Sequence, residues 1–273
     1  MNKPCEICLE EICKGSKSCN CLKCKLANDC YRFLHVTIRI TNKCTQCCDH
    51  CCFSSSPSSD IMMSVEMSKT ICKFLESNEI LSLNIMGGEF FCNPNWFEIL
   101  QNFQRFSKVI RLVSNGDWIK NNDVKNNILK LNKEVIRIDI SKDRWHNNKN
   151  SDMSYIFLKE NGFKTKIESI EENQDNSIIP VGRAECCDIY NQYSYINTYC
   201  NNPKNMYSFL LDEEGNIYKC PFGVLKYENI INYINGGFRK RFKEFNKKFY
   251  DIFIPSCKSC YQYSELKNLS IKK

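Results

Sequence analysis

From Phe33 to Thr41 the chain runs FLHVTIRIT, an apolar, β-branched stretch that reads as a buried strand. A polar, cysteine-rich loop follows to Phe53, and SSSPSSD at Ser54–Asp60 is a breaker. Ser64 to Asn78 then places Val65, Met67, Ile71, Phe74 and Leu75 at near-helical spacing, and ILSLNIM predicts a second strand ending at Gly87-Gly88-Glu89. The alternation continues with a helix at Asn95–Phe106, whose Trp96, Phe97, Ile99, Leu100 and Phe103 are core candidates. A strand at Val109–Val113 is closed by Ser114-Asn115-Gly116, and a helix follows near Asp123–Leu131. A strand at Val135–Ile140 runs into Ser141-Lys142-Asp143, followed by a helix at Ser151–Glu160 and strand-like KTKIESI and SIIPVG. About six strand–helix units predict an α/β fold with a parallel sheet, whose polar strand ends gather on one rim, where such folds bind ligands.

Beyond about residue 190 this rhythm breaks. MYSFLLD-EEG-NIYKC predicts a β-hairpin turning at Glu213-Glu214-Gly215, and a helix is expected at Gly237–Phe249. Residues 1–32 carry seven cysteines and few large apolar side chains, too few for a conventional core. The expected organisation is a cysteine-rich N-terminal segment (1–32), an α/β unit (33–190) and a small α+β module (191–273).

A chain of 273 residues can bury a sizeable core without staples, so its 20 cysteines are not needed as disulfides. No apolar run approaches a membrane span, and MNKPCEICLEEICKG has no signal-peptide core, which predicts a reducing cytoplasm where dense cysteine points to metal. The net charge of +7 does not by itself point to nucleic acid. Thiolate-bound clusters are anionic and offset part of it, and the basic run Arg239, Lys240, Arg241 and Lys243 reads as a solvated helix face.

The chemistry concentrates in TNKCTQCCDHCCF, Thr41 to Phe53, with five cysteines within nine residues. Cys44/Cys47 and Cys48/Cys51 are each C-x2-C, the half-site of a tetrahedral zinc, while Cys44, Cys48 and Cys51 form C-x3-C-x2-C, which suits one corner of an iron–sulfur cube. The loop alone does not choose. Cys5, Cys8, Cys21 and Cys24 have the spacing of a zinc ribbon or of a further cluster site, and Cys200, Cys220, Cys257 and Cys260 could hold zinc or a fully ligated cluster. His146, in a loop rich in Lys and Asn, reads as solvated or as an active-site acid or base, and His35 reads as a structural strand residue.

Taken in order, these strand ends resemble the radical S-adenosylmethionine enzymes. The resemblance rests on Cys44-x3-Cys48-x2-Cys51 with His50 before the third cysteine, Gly87-Gly88-Glu89, Ser114-Asn115-Gly116 and Ile140-Ser141-Lys142-Asp143, over roughly residues 34–190. Pro180-Val181-Gly182-Arg183-Ala184 looks like the sixth-strand signature of the SPASM/twitch branch, and Cys200, Gly215-x4-Cys220 and Cys257-x2-Cys260 look like its twitch module. A full SPASM domain would carry more cysteines after Cys260. The sequence departs from common family usage at Cys47 and Cys52, expected to be spare thiols, and in its cysteine-rich leader.

The resemblance implies a partial (β/α)6 barrel with a small twitch-like α+β module. It also implies a 4Fe-4S cluster on Cys44, Cys48 and Cys51 whose fourth iron takes S-adenosylmethionine, and an auxiliary 4Fe-4S cluster on Cys200, Cys220, Cys257 and Cys260. Reductive cleavage would give a 5′-deoxyadenosyl radical that abstracts hydrogen from a peptide or small polar substrate, with net oxidation or bond formation assisted by the auxiliary cluster. Gly87 and Gly88 would let the backbone approach the methionine moiety, and Glu89 would take its ammonium. Ser114, Asn115, Ser141 and Asp143 would contact ribose or carboxylate, and Arg183 would clamp a carboxylate or make a structural ion pair. A reducing partner such as flavodoxin or ferredoxin is implied. No leader-peptide-binding domain is recognisable before the barrel, so a peptide substrate would need a separate recognition partner or the cysteine-rich segment. Two other readings compete: a zinc-binding module that contacts nucleic acid or protein, and a non-catalytic iron–sulfur electron carrier.

Overall fold

The computed structural model describes residues 35–78, 82–106, 109–169, 182–186, 209–218, 226–238, 240–242 and 244. The expected alternation is present as β1 (His35–Arg39), α1 (Val65–Ser77), β2 (Ser82–Met86), α2 (Trp96–Phe106), β3 (Val109–Ser114), α3 (Asn122–Leu129), β4 (Ile136–Ser141), α4 (Ser151–Glu160) and β5 (Ile167–Glu168). The hairpin follows as β6 (Phe209–Leu211) and β7 (Asn216–Tyr218), and then β8 (Lys226–Asn229). KTKIESI yields only the two-residue β5. Its start is tied by an isolated bridge between Lys164 and Arg137. SIIPVG through Val181, the cysteine-rich leader and the four downstream cysteines lie outside the described residues.

Helix starts follow the sequence. Ser64 caps α1 by accepting from Met67 N at 3.1 Å, and Asn121 caps α3 through Asp123 N and Val124 N. One sheet runs β5-β4-β3-β2-β1-β6-β7-β8. Its first six strands are mutually parallel, and β7 and β8 are antiparallel additions. Thus the first strand of the predicted hairpin extends the barrel sheet beside β1, with Val36 opposite Phe209. Its turn is braced by Asp212, which accepts from Glu214 N, Asn216 N and the Tyr218 hydroxyl.

Strand alternation divides the sheet into two faces. Val36, Ile38, Leu83, Ile85, Ile110, Leu112, Ile136 and Ile138 are buried in one core with Ile71, Phe74, Leu100, Phe103, Ile128 and Leu158 from the helices. Trp96, Ile99, Leu100 and Phe103 are core as expected, and Phe97 is half-buried against it. Phe209, Phe238, Phe242 and Tyr233 extend this core in edge and stacked contacts, in a segment where Phe238, Lys240, Arg241, Phe242 and Glu244 are helical.

The opposite face is ionic. Asp139, fully buried, accepts from Arg111 Nε at 2.6 Å and Arg137 Nε at 2.7 Å, and Glu168 pairs with Arg111 and Lys166. Arg39 meets Glu213 through two hydrogen bonds of 2.9 Å. Among the described residues no helix is long and apolar enough to cross a membrane.

Candidate active site

A cavity of about 320 Å³ opens on this ionic face at the C-terminal ends of the strands. Its floor is Met86, Val113, Ser141 and Glu168, the same-parity positions of β2 to β5, and the cysteine loop after β1 forms a wall. Cys44, Cys48, Cys51 and Cys52 line it, whereas Cys47 is exposed and outside it. Folding thereby brings Cys44, Cys48 and Cys51 to one space and leaves the Cys44/Cys47 frame without a common one.

The loop is held on three sides. Thr41, fully buried, donates to Ile61 O and accepts from Lys43 N, while Cys44 N donates to Ser56 O. On the second side, Gly88 N donates to Thr41 O and Glu89 N to Lys43 O, both at 2.8 Å, so the end of β2 lies directly on the loop. A Cβ on Gly87 would stand 2.9 Å from Thr41 O, and one on Gly88 only 2.4 Å from Lys43 O. Both glycines also line the cavity, so the loop packed against them adds a second demand on these positions that the sequence could not display. On the third side, Arg183 donates from Nε to Cys48 O and from its terminal nitrogen to Ser55 O, each at 2.7 Å. Gly182, at φ +62°, lies so close to Cys52 that a Cβ would meet its carbonyl at 2.3 Å. Arg183 thus spends donors on loop carbonyls while also facing the cavity.

Glu89 is 1% exposed and does not line the cavity. Its Oε1 accepts from Ser114 Oγ at 2.9 Å and its Oε2 from Asn115 N at 2.8 Å, which ties the ends of β2 and β3 together. Burial pushes its carboxyl up to about 7 despite these bonds. Ser114 and Asn115 do line the cavity, and Asn115 Nδ2 reaches Thr45 Oγ1 at 2.9 Å and Cys44 Sγ at 3.8 Å.

Ser141 and Asp143 line the opposite wall with His146 and His50. Asp143 Oδ1 accepts from Trp145 N at 2.9 Å and lies 2.8 Å from His146 Nδ1. Burial alone would raise Asp143, but the hydrogen bonds from His146 and Trp145 N outweigh it and hold the carboxylate below its ordinary range. The His146 ring stands edge-on to His50 at 4.9 Å, and burial, then the nearby His146, push His50 down to about 4.

Asp117 and Gln46 escaped the sequence reading. Asp117 Oδ2 accepts from Thr45 Oγ1 at 2.6 Å and Gln46 Nε2 at 3.0 Å, and Oδ1 from Asn150 Nδ2 at 2.6 Å. Burial opposes the charge, but these donors hold Asp117 below the usual carboxylate range. The sole sequence signal was its place directly after Ser114-Asn115-Gly116.

The donor set fits an iron–sulfur cluster. Burial pushes the Cys44 thiol up to about 12 and Cys48, with Cys51 beside it, to about 11, a rise that a bound cation would oppose. Backbone donors already aim at the sulfurs: Gln46 N at Cys44 Sγ and Ser55 N at Cys51 Sγ, each 3.4 Å away. Hydrogen bonds to sulfur of this kind tune such clusters.

No family model matches the chain. Over 110 residues it is 31% identical to the antilisterial bacteriocin subtilosin biosynthesis protein AlbA of Bacillus subtilis (strain 168), a match covering 40% of this chain and 24% of that protein's length. The solved structure of BtrN in complex with AdoMet and 2-DOIA superposes with a TM-score of 0.54 at 15% identity, covering 79% of this chain and 86% of that one. That of anSMEcpe with bound AdoMet and Cp18Cys peptide gives 0.50 at 14% identity, covering 79% and 81%. The last two likenesses concern the fold, and the first concerns sequence over 110 residues. In fold, and over that stretch in sequence, the chain is similar to these proteins, in keeping with its resemblance to the radical S-adenosylmethionine enzymes.

Proposed function

We propose that the chain is an enzyme that cleaves S-adenosylmethionine reductively and abstracts a hydrogen atom from a peptide or small polar substrate. The observation that carries this reading is the convergence of Cys44, Cys48 and Cys51, without Cys47, on one cavity walled by Gly87, Gly88, Ser114, Asn115, Ser141, Asp143 and Arg183. A 4Fe-4S cluster held there by three thiols would supply one electron to S-adenosylmethionine, giving the 5′-deoxyadenosyl radical.

The chain's residues position and exclude. Glu89 acts from beneath, fixing Ser114 and Asn115 as one wall of the S-adenosylmethionine site, and Arg183 fixes the cysteine loop as the other. Ser141 and Asp143 supply polar contacts from the end of β4. A peptide substrate is supported by the name of AlbA and by the peptide bound in the anSMEcpe structure, and a small molecule by BtrN with 2-DOIA. Cys200, Cys220, Cys257 and Cys260 are proposed to hold an auxiliary cluster that accepts an electron. Flavodoxin or ferredoxin in a reducing cytoplasm is the proposed donor.

The test is anaerobic reconstitution of the full chain followed by iron, sulfide and 5′-deoxyadenosine analysis. About eight irons with matching sulfide are expected for two clusters, and about four should go with Cys48→Ala. 5′-Deoxyadenosine should form in the wild type and not in Cys48→Ala. Zinc without sulfide, or no 5′-deoxyadenosine from the reduced protein, would overturn the reading.

A further inference from the structure

The cavity holds a histidine, His146, to which the proposed cluster chemistry gives no role. His146 lies in the loop between β4 and α4, a segment braced at several points. Gln46 Oε1 accepts from Asn147 N at 3.0 Å, Asn148 Nδ2 donates to Asp143 O at 2.6 Å, and Asn150 Nδ2 donates to Asp117. Asp143, 8% exposed, faces His146 Nδ1 at 2.8 Å. A carboxylate in that position accepts, so the shared proton sits on Nδ1 and Nε2 keeps its lone pair. The ring lines the cavity, so Nε2 is the nitrogen left to receive a proton there. A carboxylate that fixes the tautomer and steadies the resulting imidazolium is the arrangement of a general base.

We propose that His146, oriented by Asp143, is the base that takes a proton from the substrate. This rests on the proposed radical reaction and names its proton acceptor. Once a hydrogen atom has left a carbon bearing an O–H or N–H, Nε2 forms a new N–H bond with that heteroatom's proton, and the X–H electron pair stays on the heteroatom. The carbon-centred radical then gives one electron to an oxidised iron–sulfur cluster as the C=X bond closes, a net loss of two hydrogens from the substrate. Asp143 is the positioning residue.

The first test needs no substrate. The chain has three histidines, so 15N-histidine labelling of the reconstituted full-length protein gives three imidazole spin systems. His146, assigned by loss of its signals in His146→Gln, is expected as the Nδ1–H tautomer. Asp143→Ala should release it to the Nε2–H form preferred by a free ring.

The second test uses an extract of cells grown in D2O as the substrate source. Deuterium in 5′-deoxyadenosine reads hydrogen abstraction, and mass spectrometry reads molecules that lose two hydrogens. His146→Gly should lower the latter about 100-fold or more, with partial recovery on adding imidazole. An Nε2–H tautomer in the wild type, or His146→Gly product within about threefold of wild type, would overturn the assignment. So would one metal ion per chain bound by His50, Asp143 and His146. If the wild type itself makes no 5′-deoxyadenosine, it is the proposed radical function that falls.

Discussion

Gly88→Ala is the sharpest probe of how the cysteine loop is held. Gly88 is not among the residues at positive φ, so alanine's backbone preferences are not offended there. The whole penalty comes from contact. The added methyl would sit 2.4 Å from Lys43 O, 2.7 Å from Lys43 C and 2.9 Å from Cys44 Cβ, and two of these atoms are backbone that cannot swing aside. Relief requires the end of β2 and the loop to separate by about 1 Å, since non-bonded carbon contacts settle near 3.5 Å or beyond. That opens the 2.8 Å bonds from Gly88 N to Thr41 O and from Glu89 N to Lys43 O. Overpacking costs about 1–3 kcal/mol and each of the two weakened bonds about 1 kcal/mol, which gives about 3–5 kcal/mol together. The movement carries Cys44 with it, so cluster retention should fall as well as stability. Gly162→Ala is the control: its φ is +76° with nothing within 4 Å, so it should cost only the backbone penalty, about 1–2 kcal/mol, and leave the cluster intact. Urea unfolding and iron per chain after reconstitution measure the two effects. A Gly88→Ala protein within about 0.5 kcal/mol of wild type and with full iron would refute the argument.

Three further outcomes follow from the same geometry. Burial raises Glu89 from an ordinary 4.5 to about 7. Its contribution is therefore full below the unfolded value and lost as pH rises through the folded one, on the order of 3 kcal/mol. Cluster-free wild type should lose stability between pH 5 and 8 by this component, and Glu89→Gln should flatten that slope in urea titrations at each pH. Arg183→Lys replaces a two-pronged clamp on Cys48 O and Ser55 O by a single point donor, costs about 1–3 kcal/mol, and should speed chelator bleaching of the cluster several-fold, read at 400 nm. Arg39→Met strands Glu213, whose side chain is 2% exposed, and should destabilise by about 3–5 kcal/mol, whereas Arg39→Met with Glu213→Leu should recover most of that in a denaturation cycle.

Local pattern fixed much of this chain. The α4 bounds are those expected, β3 and β4 are displaced by a residue at most, and Trp96, Ile99, Leu100 and Phe103 are buried because apolar periodicity and burial are the same fact seen twice. Strand-end motifs were legible because parallel connectivity sends the C-terminal ends of β1 to β4 to one rim, so residues far apart in sequence had to meet. What could not be read was which atoms face which. Gly87 and Gly88 line the cavity, and the Cβ atoms they lack would also meet Thr41 and Lys43 of the loop, a contact with no trace in local pattern. Glu89 lies below the cavity wall, and Arg183 grips carbonyls, a pairing between residues 128 and 135 positions apart.

The sequence by itself therefore determined the order of elements, the face each buries and the residue types gathered at the rim, since these depend on spacing along one chain. The tertiary structure decided that Cys44, Cys48 and Cys51 share a cavity with the ends of β2 to β5 while Cys47 lies outside it, and that the hairpin's first strand joins the sheet beside β1. Those outcomes depend on packing distances between segments distant in sequence, and no local periodicity encodes them.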